Sequence, residues 1–221
     1  MSQVLENRMT ETDLKAMAAT LVGSFPKLNK NDQTLAITLY RLLAQGKPVT
    51  LLGLAEKLGV ALEAVTQVLK TWPGVYFDDE NNVIGFWGLA LPEMNHHFEI
   101  EGRPLYAWCA WDTLFLPQLL GKTAKVESTC PVTGEKIRLT VTPNKILDLS
   151  PPETVLSFIT PEAALIQEDI VQHFCHYIHF FNTIDSGRQW ISENKSTFLL
   201  SINDAFLLGQ FKNSLQFGSA I

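Results

Sequence analysis

The chain has 221 residues, 46% of them hydrophobic and 18% charged, with a formal net charge of -6 and a pI near 5.4. It is long enough to build a core without staples and too apolar to be disordered. Its acidity disfavours general affinity for phosphate backbones, so no nucleic-acid partner is expected.

The N-terminal stretch MSQVLENRMTETDLK has no apolar run behind basic residues, and no segment nears the roughly 20 apolar residues of a membrane span. A cytoplasmic protein with no membrane partner is expected. Residues 1–24 read as an extension with one amphipathic helix through Leu14, Met17, Ala18, Leu21 and Val22, ended by Ser24-Phe25-Pro26.

Residues 25–95 read as a winged helix. A helix capped by Asn31 or Asp32 carries Leu35, Ile37, Leu39, Leu42 and Leu43 and closes at Gly46-Lys47-Pro48. Thr50 caps a second helix that Gly59 ends. A third spans about Leu62 to Trp72 and stops at Pro73-Gly74. Val75–Phe77 and Val83–Leu89 then read as a hairpin. The fold suggests DNA binding, but the chemistry opposes it. The would-be recognition helix offers one lysine and one glutamate, the wing tip is Asp78-Asp79-Glu80, and residues 1–95 hold 8 Lys+Arg against 10 Asp+Glu. A phosphate-contacting module needs a basic face, so a structural or capping role fits better.

Residues 96–221 mix strands and helices, which makes the whole α+β. His97 to Ile100 reads as a strand and Tyr106 to Leu120 as a helix interrupted by Pro117. Lys125–Ser128 and Lys136–Val141 read as strands around the turn Pro131-Val132-Thr133-Gly134, and Thr154–Ile159 as another. Pro161–Phe174 reads as a helix, Cys175–Phe181 as a β-rich aromatic stretch, and Asp185–Glu193 and Asn203–Leu215 as helices.

Three cysteines in an intracellular chain argue against a disulfide framework. Each can be a small buried hydrophobe. Cys109 lies in RPLYAWCAWDTLFLP; on a helix, Asp112 at i+3 would share its face, about 5–6 Å away. Trp108, Trp111 and Phe115 would exclude water and raise the Asp112 pKa. The alternative is an inert thiol beside an Asp112 bonded to backbone. Cys130 lies in an incomplete zinc half-site, with Thr133 where a second cysteine would stand, and reads as a packing residue at a tight turn. On a strand, Cys175 would share a face with Tyr177, His179 and Phe181. A Cys175–His179 metal site or nucleophilic pair is conceivable, but no second close ligand supports either.

Leu105-Tyr106-Ala107-Trp108-Cys109-Ala110-Trp111-Asp112-Thr113-Leu114 resembles the active-site segment of the bacterial organomercurial (alkylmercury) lyases. Phe174-Cys175-His176 through His179-Phe180-Phe181 resembles their second cysteine segment. Gly121–Val126, Cys130-x-x-Thr133-Gly134 and Ala205-Phe206-x-Leu208-Gly209-Gln210 are similar in order and spacing, and the resemblance spans about residues 35 to 215. It implies a lyase whose catalytic trio is Cys109, Cys175 and Asp112, with Cys130 structural. It departs in the bulky Trp111 and in Cys175, which lacks the adjacent second cysteine of some members. The resemblance implies that Cys109 and Cys175 keep the Hg(II) product, with Asp112 a further candidate ligand. No organic cofactor is implied. Small thiols, and mercuric reductase as onward acceptor, are the implied partners.

The residue types suit that chemistry. Mercury(II) is soft and prefers thiolate sulfur. A second thiolate pushes electron density toward carbon, and a carboxyl can supply the proton. Two other readings stand beside it: a non-catalytic mercury or copper trap, which would not need Asp112, and a winged-helix metal-responsive regulator, which the acidic recognition helix opposes.

Overall fold

The computed structural model describes residues 9–160 and 162–221, with the side chains of 163–167 left out; the first eight residues and Pro161 of the expected Pro161–Phe174 helix lie outside the described residues. Helix α1 (Glu11–Gly23) opens with a capping box in which Thr10 accepts from the Asp13 N–H and Asp13 accepts from the Thr10 N–H. Helix α2 (Lys30–Leu43) begins two residues earlier than the sequence indicates, because Asn29 accepts from the Asn31 and Asp32 amides. Helices α3 (Leu51–Leu58) and α4 (Leu62–Thr71) follow. Thr50 caps α3 and Gly59 ends it in the left-handed region.

Strands β1 (Val75–Phe77) and β2 (Val83–Phe86) form the wing. The expected return strand to Leu89 breaks after Phe86, because Trp87 and Gly88 both take positive φ. The chain reverses there into β3 (Leu89–Ala90), which pairs back with β2. Strands β4 (His96–Ile100), β5 (Arg103–Ala107), β6 (Ala124–Thr129), β7 (Lys136–Val141) and β8 (Ile146–Ser150) complete an antiparallel sheet of eight strands in the order β1-β2-β3-β5-β4-β6-β7-β8. One sheet therefore runs from the wing into the second half of the chain. Buried and open positions alternate along β6 and β7, as one covered face requires.

The central helix α5 (Asp112–Leu120) is buried along nearly its whole length. Tyr106 and Ala107, expected to be helical, lie in β5 and pair with β3 and β4. The helix starts only at Asp112, so Cys109 sits in the turn before it. The sequence misses β5 because its apolar residues blend into the apolar run that follows.

A second sheet has the order β10-β9-β11, with β9 (Val155–Ile159) between β10 (Phe180–Phe181) and β11 (Thr197–Ser201). The expected strand from Cys175 is also corrected. Cys175–Tyr177 form a single 3-10 turn after α6 (Ala163–His173), and pairing with β9 starts at Phe180. Ser157 of β9 organises the exit from that turn: its hydroxyl donates to the Tyr177 carbonyl at 2.8 Å and accepts from the His179 N–H at 3.0 Å. Helices α7 (Ile184–Glu193) and α8 (Ile202–Phe217) complete the chain.

Helix α8 packs on both α1 and α5. Its contact with α5 is close: a Cβ on Gly209 would lie 2.7 Å from Phe115 Cβ. Asn213 ties the pair by donating to the Phe115 carbonyl at 3.0 Å and to Gln118 Oε1 at 2.8 Å.

Gly209→Ala should destabilise the protein. Helix propensity gains about 0.5–1 kcal/mol from the change, but overpacking a tight contact costs about 1–3 kcal/mol. The denaturation midpoint in urea should fall, and a rise would show that α8 can shift without cost.

Candidate active site

Three side chains from two turns meet in the interior. One ligand atom each of Cys109, Asp112 and Cys175 lies within 4.8 Å of the others, and all three residues are buried. Asp112, the first residue of α5, reaches back so that its Oδ2 accepts from the Cys109 N–H at 2.9 Å. The pair is thus held by a local turn and not by the shared helix face that the spacing implies. The two cysteine turns also bond each other, the Ala110 N–H donating to the Ile178 carbonyl at 3.2 Å.

Burial governs the protonation of the cluster. It pushes the Cys109 thiol well above its usual range, and the bond to Cys175 and the charge of Asp112 add to the rise. At Cys175 the bond to Cys109 lowers the thiol, but burial and the charges of Asp112 and Asp169 outweigh it and the net direction is up. Burial also raises Asp112, to about 6; bonds from Cys109 and the charge of Lys212 restrain the rise. Near neutral pH the carboxyl therefore rests mainly ionised between two protonated thiols, with a pKa close enough to ambient to cycle a proton.

Lys212 on α8 is a residue that the sequence does not single out. It is 3% exposed, its Nζ lies 4.2 Å from the Phe115 ring centroid and 3.4 Å from Asn213 Oδ1, and burial lowers it to about 7 although Asp112 pulls it upward. Each of the two buried groups feels the other's charge: Asp112 draws the lysine up, and Lys212 draws the carboxyl down. The sequence gives it little signal, because the buried residues of α8 also include Asp204, Asn213 and Gln216.

The remaining candidates fall outside the cluster. Cys130 is buried in the turn between β6 and β7, where its N–H donates to the Glu135 carbonyl at 2.9 Å. Burial would raise its thiol, but bonds from the Thr133 hydroxyl and from the backbone of Asn182, Thr133 and Val132 bring it below the usual value. His179 bonds the His176 carbonyl at 2.8 Å and packs on Trp190, and is not part of the cluster. Trp111 is a core residue. Its indole N–H donates to the Ala205 carbonyl at 2.9 Å, and its ring packs edge-on against Phe115, Phe158 and Phe174.

A family model described as the helix-turn-helix domain of alkylmercury lyase matches residues 17–87, and the alkylmercury lyase model itself matches residues 89–211, more than half of the chain. The chain belongs to the alkylmercury lyase family. Curated alkylmercury lyases agree. That of Pseudomonas putida is 43% identical over 176 residues, covering 80% of this chain and 81% of its own. That of Staphylococcus epidermidis is 38% identical over 172 residues, 78% of each. The crystal structure of the mercury-bound form of MerB2 superposes with a TM-score of 0.74 at 23% identity, covering 93% of this chain and 98% of that one, a likeness of fold. The enzyme is thus an alkylmercury lyase with an α+β fold and a helix-turn-helix half. Among the described residues no helix is long and apolar enough to cross a membrane.

The folded state holds Lys212 near 7 against an ordinary 10.5. Below pH 7 the lysine is charged in both states and the whole cost of burying it is present. Between pH 7 and 10.5 the unfolded chain binds more protons, so stability rises with pH. Lys212→Met should therefore melt higher than wild type at pH 6, with the gap narrowing toward pH 10; a lower melting temperature at pH 6 would refute the sign. Cys130→Ser should lose stability, since the smaller oxygen on its shorter bond leaves a void and draws the acceptor back from the Thr133 hydroxyl and the amides that reach the sulfur. Its turnover per folded molecule should match wild type, and an inactive folded fraction would give Cys130 a part in the chemistry.

Proposed function

We propose that Cys109, Cys175 and Asp112 perform protonolysis of the carbon–mercury bond in an organomercurial, R–Hg–X, where X is a thiolate carrier. The observation that carries this reading is the buried convergence of two thiols and one carboxyl within 4.8 Å. Residues 96–221 form the catalytic part in this scheme. Residues 25–95 form the winged-helix part and residues 1–24 the leading helical segment.

Asp112, as carboxylate, takes the Cys109 thiol proton. The freed sulfur binds mercury and releases X as thiolate. That thiolate removes the Cys175 proton, and the second sulfur joins the metal. The electron pair of the carbon–mercury bond moves to carbon, which takes the proton held on Asp112. R–H leaves, HX has formed, Asp112 is a carboxylate again, and Hg(II) remains on Cys109 and Cys175. Asp112 is within reach as a further ligand while the ion waits. Small thiols then carry the ion off, with mercuric reductase as onward acceptor. No organic cofactor enters the scheme, and the reaction belongs in the cytoplasm, where free thiols are plentiful.

A pocket of about 450 Å³ beside Trp108 supports entry of an apolar organic group. Tyr76, Ile84, Ala90, Met94 and Val171 line it, with Asp169 and Glu93 as its acids. Trp108 on its wall directly precedes Cys109, and Asp169 and Val171 come from α6, which leads into the Cys175 turn. A mere metal trap would gain nothing from burying a carboxyl whose charge is costly there.

The test is headspace analysis of purified protein with phenylmercury and excess thiol. Wild type should release benzene, whereas Cys109→Ala and Cys175→Ala should release almost none. Asp112→Asn should still capture the mercurial, seen as an adduct by mass spectrometry, yet cleave it about 10²–10⁴-fold more slowly. The wild-type single-turnover rate should fall as pH drops through about 6, where Asp112 takes a proton and can no longer accept one from Cys109. Capture without benzene by wild type would leave only the trap.

A further inference from the structure

The turn Trp87-Gly88 belongs to the winged half, yet it lies against the acid of the cluster. A Cβ built on Gly88 would stand 2.6 Å from both Cγ and Oδ1 of Asp112. No side chain fits there, and the φ of +100° at Gly88 independently disfavours any L-residue but glycine. Trp87 before it is itself held at φ 35°, a region that a bulky residue rarely enters.

Four hydrogen bonds hold this conformation. The Trp87 N–H donates to the Gly74 carbonyl at 3.2 Å, and its indole N–H donates to the Pro73 carbonyl at 2.7 Å. The buried Tyr40 of α2 donates to the Trp87 carbonyl at 2.8 Å. The Trp108 N–H, one residue before Cys109, donates to the Gly88 carbonyl at 3.0 Å. The Trp87 ring also stacks on Trp72 at 4.9 Å. A strained turn persists only when its surroundings over-determine it, and such turns gather at working sites.

We infer that the Gly88 turn is a positioning element for the reaction, a bare backbone wall that fixes the Asp112 carboxyl where it can reach both sulfurs. The inference rests on the functional reading given above. The Cys109 N–H holds Oδ2 from one side, and Gly88 bounds the carboxyl on the side of Oδ1. The carboxyl is left little room to rotate out of line. The winged half thereby acts on the chemistry through Tyr40, Trp87 and Gly88.

The experiment compares three variants of the full chain with wild type, using phenylmercury in single turnover, and measures capture and benzene release separately. Gly88→Ala should capture the mercurial at wild-type stoichiometry but release benzene on the order of 100-fold more slowly, the loss typical of a misplacement near 1 Å. Gly59→Ala controls for backbone strain, because Gly59 also has positive φ but nothing within 4 Å of its would-be Cβ; it should lose stability and keep its release rate. Tyr40→Phe adds no bulk and removes one tie, so it should fold and show a smaller loss of release with capture intact. Wild-type release by folded Gly88→Ala or by Tyr40→Phe overturns the inference. So does a loss of capture in step with release, since the turn would then support the pocket in general. Failure of the functional reading would appear in the wild-type control, and failure of this inference only in the variants.

Discussion

Asp112 is an ionisable group held out of water by the fold, and most of the interior is arranged around that cost. A lone buried carboxylate is expensive. Here it is offset by the thiol and the backbone N–H of Cys109 and by the field of Lys212, itself buried and itself destabilised. Neither group is fully compensated. The carboxyl stays near the point where it can gain or lose a proton, which a well-satisfied surface ion pair would not allow. The aromatic packing of Trp111, Phe115, Phe158 and Phe174 keeps water from relaxing this balance.

The same constraint explains why two distant turns must dock. Two sulfurs can share one metal only if the chain brings residues 109 and 175 together, and neither turn is regular enough to do so by itself. The Cys109 turn hangs between β5 and α5, and the Cys175 turn between α6 and β10. Ser157 steadies the second, and the Ala110 to Ile178 bond joins them. Apart from Asp112, the first residue of α5, the regular elements hold no member of the cluster. They set the distance between two short irregular segments, as is common when sites sit on loops over a rigid scaffold.

Much of this was legible in the chain. The capping residue Thr50, the terminator Gly59 and the apolar spacing of α2 to α4 define the helical half, and the alternation in Lys136–Val141 matches β7 residue for residue. The resemblance of the two cysteine segments points to the residues that now lie together. What local pattern hides is the geometry. Cys109 and Asp112 are near each other for a reason other than helical spacing, since an acid at a helix start can bond the amide behind it. Cys175 is flanked by β-formers but sits in a 3-10 turn because Ser157, far away in sequence, takes the backbone bonds that a strand would use. Gly88 and Lys212 were invisible for the same reason: what matters at each is a neighbour that is distant in the chain.

The packing of α8 on α5 has a consequence for the order of events in the cell. Lys212, Asn213 and Gly209 meet α5 only after α8 has been synthesised, and α1, the earliest helix described, also waits for α8 as its partner. A chain still on the ribosome lacks this last long helix, and with it the cover that α8 gives to Phe115 and the Lys212 charge that Asp112 feels. The charge balance around Asp112 is therefore among the last features of the fold to be completed.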